Sequence, residues 1–416
     1  MPDRHEMWKD LGMDLEAHDT LCSVLPQAFG DIYLSQENRP EGMAFWDMVV
    51  SDIHGIRPAE LMEAQKEGRK VFGTFCLYVP DEIIVAAGGI VTGLCGGSQF
   101  WVPAGEEVLP KSMCSLIKAS VGARLGRTCP FFHIADMYVG ETTCDGKKKA
   151  YEILGRDVPM YVMDMPQMKR PQDYVKWAEE INAFKKIVEE FTGNEVTVEK
   201  LHEATVLLNN RRKALERVYH ARKADPAPIS GKDAFFDDPQ RCTDMANTLA
   251  AELEQRIKDG VGVAAAGTKR IMLAGTPMAI PNWKMHHIVE TSGAVVVCEE
   301  CCTGTRYFEH QVDETPTTAS EQIMALAQRY MKNNCACFTP NAGRIDDLLR
   351  LCREYKVDGV IDVNLKFCTL YDTESRDVQY ALKEAGIPSI HIETDYDDND
   401  AEQLRTRVGA FIEMLG

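Results

Sequence analysis

The chain has 416 residues, and its 45% hydrophobic and 26% charged content excludes a disordered chain, a collagen-like fibre and a small disulfide scaffold. Lys and Arg number 46 against 64 Asp and Glu, so the net charge of −18 argues against nucleic acid or an anionic membrane as a partner. The N-terminus is charged and lacks the apolar core of a signal peptide, and no run of about 18 apolar residues occurs. We therefore expect a cytoplasmic protein.

The first part of the chain predicts helices followed by a parallel sheet. Residues 1–69 show apolar positions with helical periodicity between Pro and Gly breaks. From residue 71, short β-branched and aromatic runs alternate with helical patterns. The expected strands are 71–79, 89–94, 131–140 and 158–165, and the expected helices between them are 80–89, 109–126 and 144–155. Such alternation predicts βαβ units and a parallel sheet.

The rest of the chain predicts a helical connector and a second sheet. Residues 166–262 lose the strand pattern and read as long amphipathic helices rich in Glu and Lys. Strand-like runs then return at 269–275, 294–300, 358–368 and 387–395, again between helical patterns. We expect an α/β fold with two Rossmann- or flavodoxin-like parallel-sheet domains. The expected segments are an N-terminal helical segment 1–69, a first α/β domain 70–165, a helical connector 166–262 and a second α/β domain 263–416.

Fourteen cysteines are the unusual feature of the composition. Thiols stay reduced in the cytoplasm, so many cysteines there indicate metal or redox chemistry. Cys76, Cys298 and Cys368 are predicted to end strands, and Cys95 and Cys144 to follow them, at the sheet edge where parallel sheets bind ligands. The alternative, buried packing thiols, is the better interpretation for the cysteines inside helix-like segments. These are Cys22, Cys242 and Cys352.

Helix N-termini add a second signal. Cys76, Cys114 and Cys144 lie at or near the predicted start of a helix, whose positive end favours thiolate. Lys147, Lys148 and Lys149 follow Cys144 and would help to hold an anionic cluster, although a solvated helix face is an equal alternative.

Two kinds of metal site remain open from the spacing alone. Zinc prefers close pairs, and the chain has one C-x-x-C at Cys298 and Cys301 and one C-x-C at Cys335 and Cys337. An iron–sulfur cluster accepts cysteines far apart in sequence, and the wide intervals from Cys76 to Cys144 favour it, although they match no ferredoxin motif.

Several segments resemble a known family. The first is CLYVPDE at 76–82, which is followed by AAGG and has the pattern C-x-x-x-P-x-E. The others are CSLIKASVG at 114–122, CPFF at 129–132, ETTCDGKKK at 141–149, EECCTG at 299–304, CACFTPN at 335–341 and DGVIDVNLKFC at 358–368. The opening motif resembles the 2-hydroxyacyl-CoA dehydratase D-component family, which is benzoyl-CoA reductase-like. The whole set resembles its single-chain branch, the double-cubane cluster proteins.

The resemblance implies a cofactor and its ligands. The dehydratases hold one [4Fe–4S] cluster with three cysteines, whereas the double-cubane branch holds an [8Fe–9S] cluster with three cysteines on each cubane. The implied ligands are Cys76, Cys144 and Cys368 for one cubane and Cys114, Cys129 and Cys337 for the other. Cys302 and Cys335 are reserves, and Cys95 is less clearly a ligand.

The resemblance also implies partners and an activity. A separate iron–sulfur activator ATPase would supply low-potential electrons, so this chain needs no nucleotide site of its own. The stretch from Gly262 to Lys269 is only a misordered P-loop and is predicted to be a loop. We expect a homodimeric reductase component that acts on a small molecule. The alternatives are a dehydratase subunit with one [4Fe–4S] cluster and a non-catalytic electron carrier. Glu299, Glu300 and Arg306 are candidate proton donors or an anion clamp, unless they form structural ion pairs.

Overall fold

The computed structural model describes residues 4–94, 96–233, 238–279 and 281–416. Its N-terminal segment is helical, as the sequence predicts. The helices are α1 (Arg4–Asp10), α2 (Leu15–Ala28), α3 (Ala44–Ser51) and α4 (Ile56–Lys66), with a π-helical turn at Phe29–Leu34. In α2 the Asp14 side chain accepts a hydrogen bond from the Ala17 N–H, so an N-cap fixes where the helix begins.

A four-stranded parallel sheet follows. Its strands are β1 (Val71–Thr74), β2 (Ile90–Gly93), β3 (Met137–Glu141) and β4 (Met160–Met163), in the order β2-β1-β3-β4. The helices between them are α5 (Asp81–Ala86), α6 (Val102–Glu106), α7 (Ser115–Leu125), α8 (Pro130–Ile134) and α9 (Asp145–Leu154). The strands β1 and β3 are buried along their whole length, which explains their continuous apolar character in the sequence.

Three long helices connect this sheet to the second one. They are α10 (Pro171–Thr192), α11 (Val198–Ala221) and α12 (Pro239–Lys258). Gly193 ends α10 in the left-handed conformation that a helix C-terminus favours. The helix α11 packs against α12, against α5 of the first half and against the helix Ala319–Met331 of the second half, so it contacts both halves of the molecule.

The second sheet repeats the first topology. Its strands are β5 (Lys269–Gly275), β6 (Ala294–Glu300), β7 (Gly359–Leu365) and β8 (Ser389–Thr394), all parallel, in the order β6-β5-β7-β8. The helices are α13 (Lys284–Thr291), α14 (Thr305–Phe308), α15 (Ala319–Met331), α16 (Ala342–Glu354), α17 (Thr369–Glu384) and α18 (Ala401–Met414). Each sheet thus has the strand order 2-1-3-4 of a flavodoxin-like doubly wound sheet, which confirms the predicted fold class.

This topology determines where a ligand can bind. In such a sheet the crevice opens at the carboxyl ends of the first and third strands. These are β1 and β3 in the first sheet and β5 and β7 in the second. Cys76 lies just beyond β1 and Cys368 just beyond β7, so both predicted ligands occupy a switch point. Within the described residues, no helix is long and apolar enough to cross a membrane.

Several details of the sequence prediction are wrong, including the helix expected over 109–126, which begins at Ser115, and the strand expected over 358–368, which ends at Leu365. The strand expected over 71–79 ends at Thr74. The strand expected over 131–140 begins at Met137, because Pro130 at the first helical position starts the short helix α8. Cys298 does not end its strand, since Glu299 and Glu300 continue the pairing of β6 with β5. The stretch from Gly262 to Thr268 is a loop before β5, as expected.

Candidate functional site

One cavity of about 630 Å³ lies where the carboxyl ends of the two sheets face the N-terminal segment and the connector. Its wall includes nine of the described cysteines: Cys76, Cys114, Cys129, Cys144, Cys242, Cys302, Cys335, Cys337 and Cys368. The structure therefore brings together the six predicted ligands and both reserves, whose role as ligands stays a prediction. The other described cysteines are Cys22, Cys298, Cys301 and Cys352. Cys95 lies outside the described residues.

Four cavity cysteines occupy the same position on different helices. Cys114, Cys129, Cys144 and Cys368 are the N-cap residues of α7, α8, α9 and α17. The Cys144 thiol accepts a hydrogen bond from the Lys147 N–H at 3.4 Å. An N-cap side chain faces the unpaired N–H groups of the first helical turn, which can stabilise a thiolate or a cluster sulfur.

Burial favours the protonated form of the Cys114, Cys144 and Cys368 thiols, because it raises their pKa. Desolvation raises the pKa of Cys114 to about 11 and that of Cys368 to about 12. Both thiols interact electrostatically with Cys144. Burial raises the pKa of Cys144 as well. Several buried thiolates can therefore coexist here only with a cation among them, which is the condition that a metal cluster supplies.

A second group of thiols forms a hydrogen-bonded chain. Cys302 contacts the thiols of Cys76 and Cys335, and Cys335 also contacts Cys337. Hydrogen bonds from Cys302 and Cys337 lower the pKa of Cys335 well below its usual value, helped by the nearby Arg306 guanidinium. The same bonds raise the pKa of Cys302 and of Cys337. The pKa values of these thiols therefore depend on one another.

The loop between α15 and α16 positions Cys335 and Cys337. The Asn341 side chain donates to the Cys335 carbonyl oxygen at 3.1 Å and to Glu374 on α17 at 2.6 Å. The Tyr371 hydroxyl lies 3.5 Å from the Cys335 sulfur. Cys368 is the N-cap residue of the same helix α17. These contacts therefore hold Cys335 and Cys337 in place relative to Cys368.

The three predicted lysines have different roles. Lys147 is partly buried at the cavity wall and forms an ion pair with Glu141. Desolvation lowers the pKa of Lys147, but the Glu141 charge outweighs it and holds that pKa above the usual value. Lys148 and Lys149 are exposed and pair with acidic side chains of their own helix. Only Lys147 of these three therefore adds positive charge beside the thiols, and the exposed pair is a solvated helix face.

A partly buried lysine that no sequence motif marks lies near the second group of cysteines. Lys169, just before α10, donates to the Asn333 carbonyl oxygen at 2.8 Å and lies 4.3 Å from the Phe338 ring centre. Burial lowers its pKa to about 8, while Cys337 and Asp347 oppose that shift. Only the folded chain brings this lysine close to Cys337.

The candidate catalytic residues lie in buried ion pairs. Glu299 borders the cavity and binds Arg222 at 2.9 Å and His286 at 2.8 Å. Glu300 lies between Arg306 and Arg344. Structural ion pairs are the alternative role that the sequence analysis gives these residues. Their role as proton donors or as an anion clamp stays a prediction.

The rest of the cavity wall is largely apolar. The N-terminal segment contributes Leu21, Leu25, Phe29, Met48 and Ile53. No motif in the sequence gives this segment a part in the site. The same segment also contributes the polar residues Asp52, His54 and Arg57 to the wall.

The close-pair zinc site finds no support among the described residues. Cys298 is fully buried beside Cys352 in an apolar cluster, and Cys301 lies 3.2 Å from the Thr303 hydroxyl. Neither belongs to a compact group of three metal donors. One such group exists elsewhere and consists of His18, Cys22 and His54.

Comparison with known proteins gives consistent matches over most of the chain. A family model described as "2-hydroxyglutaryl-CoA dehydratase, D-component" matches residues 76–415. The chain is 36% identical to "Putative dehydratase subunit YjiM" of Escherichia coli (strain K12), over 85% of this chain and 94% of that protein. It is 22% identical to the (R)-phenyllactyl-CoA dehydratase beta subunit of Clostridium sporogenes, over 84% and 93%. It is 21% identical to a benzoyl-CoA reductase subunit of Thauera aromatica, over 83% and 91%.

Proposed function

This chain belongs to the 2-hydroxyglutaryl-CoA dehydratase D-component family, and on that premise we propose that it is an iron–sulfur reductase component with an [8Fe–9S] double-cubane cluster. The single observation that carries the proposal is the convergence of eight candidate cysteines, from both halves of the chain, on one cavity. A single [4Fe–4S] cluster with three cysteine ligands would leave most of these thiols without a role.

The chemistry of the cavity fits such a cofactor. The donor atoms are thiols, which iron–sulfur clusters require. They fall into an N-cap group around Cys114, Cys144 and Cys368 and a hydrogen-bonded group around Cys302 and Cys335. Two groups of thiols suit two joined cubanes, with Cys76, Cys129 and Cys337 as the other candidate ligands. The grouping differs from the division that the resemblance implies, because Cys114 lies near Cys144 and Cys368, and Cys76 lies near Cys302.

The protein residues have three roles in this proposal. The cavity cysteines bind as thiolates, and the N–H groups at the starts of α7, α9 and α17 stabilise negative charge on sulfur. Lys147 and Arg306 add positive charge near the thiols. The apolar wall excludes water, which with hydrogen bonding to sulfur tunes the potential of a cluster. When bound, the cluster would supply low-potential electrons to a small molecule in the cavity.

The proposal includes partners. A separate iron–sulfur activator ATPase would deliver electrons with hydrolysis of ATP, and a homodimer of this chain would match a two-fold symmetric activator. The benzoyl-CoA reductase subunit among the similar proteins supports reductive chemistry, whereas the phenyllactyl-CoA dehydratase subunit supports the single-cluster dehydratase alternative.

The test is reduction of the purified chain under anaerobic conditions, followed by visible absorption. We expect bleaching only when activator and ATP are both present, and a slower rate as salt rises, because docking involves charged surfaces. Full reduction by a simple ferredoxin without ATP would contradict the activator requirement. Reduction without turnover of any offered acyl-CoA or small reducible molecule would favour the electron carrier.

Serine variants test the ligand assignment. Cys76→Ser, Cys144→Ser and Cys368→Ser should each lose most of the iron and unfold at lower temperature, because metal binding is coupled to folding. Cys352→Ser is the matched control, since Cys352 is also buried but lies away from the cavity. Equal iron loss in the control would show that burial, and not ligation, decides the result.

A further inference from the structure

Two histidines and a cysteine meet in the N-terminal segment, and one of them, His54, also borders the cavity. His18 and Cys22 lie four residues apart on α2, so their side chains share one face of the helix. His54 comes from the turn between α3 and α4. One nitrogen or sulfur atom from each residue lies within 4.8 Å of the other two.

The distances match a metal site that uses His18 Nε2, His54 Nδ1 and Cys22 Sγ. Zinc binds His nitrogen at about 2.0–2.1 Å and Cys sulfur at about 2.3 Å, so tetrahedral ligands lie about 3.3 Å apart for N and N and about 3.6 Å for N and S. His18 Nε2 lies 3.0 Å from His54 Nδ1 and 3.5 Å from Cys22 Sγ. The third distance, from Cys22 Sγ to a His54 ring nitrogen, is below 4.8 Å, so a small movement of the side chains would admit the ion.

The surroundings hold the two imidazoles in place. His18 is fully buried and His54 is 8% exposed. The Trp8 ring packs edge-on against His18 with centroids 4.2 Å apart, and its indole N–H donates to the His54 carbonyl oxygen at 2.9 Å. The side chains are thus ordered by neighbours other than the ligands, as preorganised metal sites require.

We propose that His18, Cys22 and His54 form a second metal site that binds Zn²⁺ and uses none of the cavity cysteines. Two imidazoles and one thiolate are the donor types that zinc prefers, and three protein ligands leave a fourth position for water. The ion ties α2 to the turn before α4 and so fixes the apolar wall that Leu21, Leu25 and Ile53 give to the cavity. Cys22 then acts as a ligand and not as the packing thiol that its helical position predicts.

The test uses the full chain, purified without oxygen and with its iron retained. After incubation with Zn²⁺ and removal of free metal, elemental analysis should find about one zinc per chain. Cys22→Ser and His18→Gln should each lower the zinc content at least tenfold and leave the iron content unchanged. Cys352→Ser, another buried thiol in a helix, is the control and should keep both metals. Equal zinc in the ligand variants and the wild type, or no zinc in the wild type, would overturn the proposal.

A second measurement on the unaltered protein avoids any effect of the variants on folding. X-ray absorption at the zinc edge is blind to iron and should show one sulfur at about 2.3 Å together with nitrogen or oxygen at about 2.0–2.1 Å. Three or four sulfurs around zinc would place the ion among the cavity cysteines and refute the site.

Discussion

Replacing Glu300 with glutamine tests whether this buried carboxylate is a structural ion-pair partner or a proton donor. Glu300 is 2% exposed and lies between two guanidinium groups that are themselves buried. One belongs to Arg306, and the other belongs to Arg344, whose Nη2 lies 3.1 Å from the carboxylate. Glutamine keeps the volume and removes the charge, so the substitution creates no cavity.

The structure sets the expected magnitude. Removing one partner from a buried ion pair costs about 3–5 kcal/mol, because the remaining charge is left uncompensated. Arg344 keeps Glu374 and the more distant Asp362 as neutralising partners. Arg306 pairs only with Glu300 among the described ion pairs, so the loss should fall within the full range of about 3–5 kcal/mol. For a domain of about 150–250 residues this corresponds to a fall in Tm of about 6–20 °C.

Thermal unfolding of Glu300→Gln under anaerobic conditions, followed by circular dichroism, measures this cost. Glu152→Gln is the control, because Glu152 forms an exposed pair with Lys149 and such pairs contribute about 0–1 kcal/mol. Unfolding of the Glu300 variant within about 2 °C of the wild type, together with loss of cluster reduction, would refute the structural role and favour the catalytic one.

Two further predictions concern packing and pH. Gly122→Ala should cost about 1–3 kcal/mol in denaturant unfolding, since the new Cβ would lie 1.8 Å from the Trp101 carbonyl oxygen, whereas Gly409→Ala has open space and should be neutral or stabilising. A hydrogen bond with Asp362 raises the pKa of His391, so its stabilising effect is complete below about pH 6.5 and is lost as pH rises through the folded-state pKa. The stability difference between the wild type and His391→Gln should therefore shrink from about pH 6 to about pH 8, and a difference that grows would contradict the assignment.

The fold could be predicted because local sequence patterns determine where its strands and helices form. Alternating short apolar runs and amphipathic segments predict a parallel sheet, and both sheets have this arrangement. Cysteines placed before helices and after strands converge because topology brings those positions to one edge. Cys114, Cys144 and Cys368 are examples, and each proves to be an N-cap.

The errors in the sequence prediction arise from contacts between residues that are far apart in the sequence. Cys298 is predicted to end its strand, but Glu299 and Glu300 continue it. These buried carboxylates are tolerated there because Arg222 and Arg344 neutralise them from other elements. Lys169 and the apolar wall could not be predicted for the same reason, since they reach the cavity region only through tertiary packing.

The central claim is the size of the cluster that the cavity cysteines hold. Iron and acid-labile sulfide should be counted per chain after purification without oxygen, with the zinc content measured on the same sample. The account predicts about eight irons and about nine sulfides per chain. About four irons would contradict the double-cubane assignment and favour the single-cluster dehydratase subunit, and a chain without iron would contradict both.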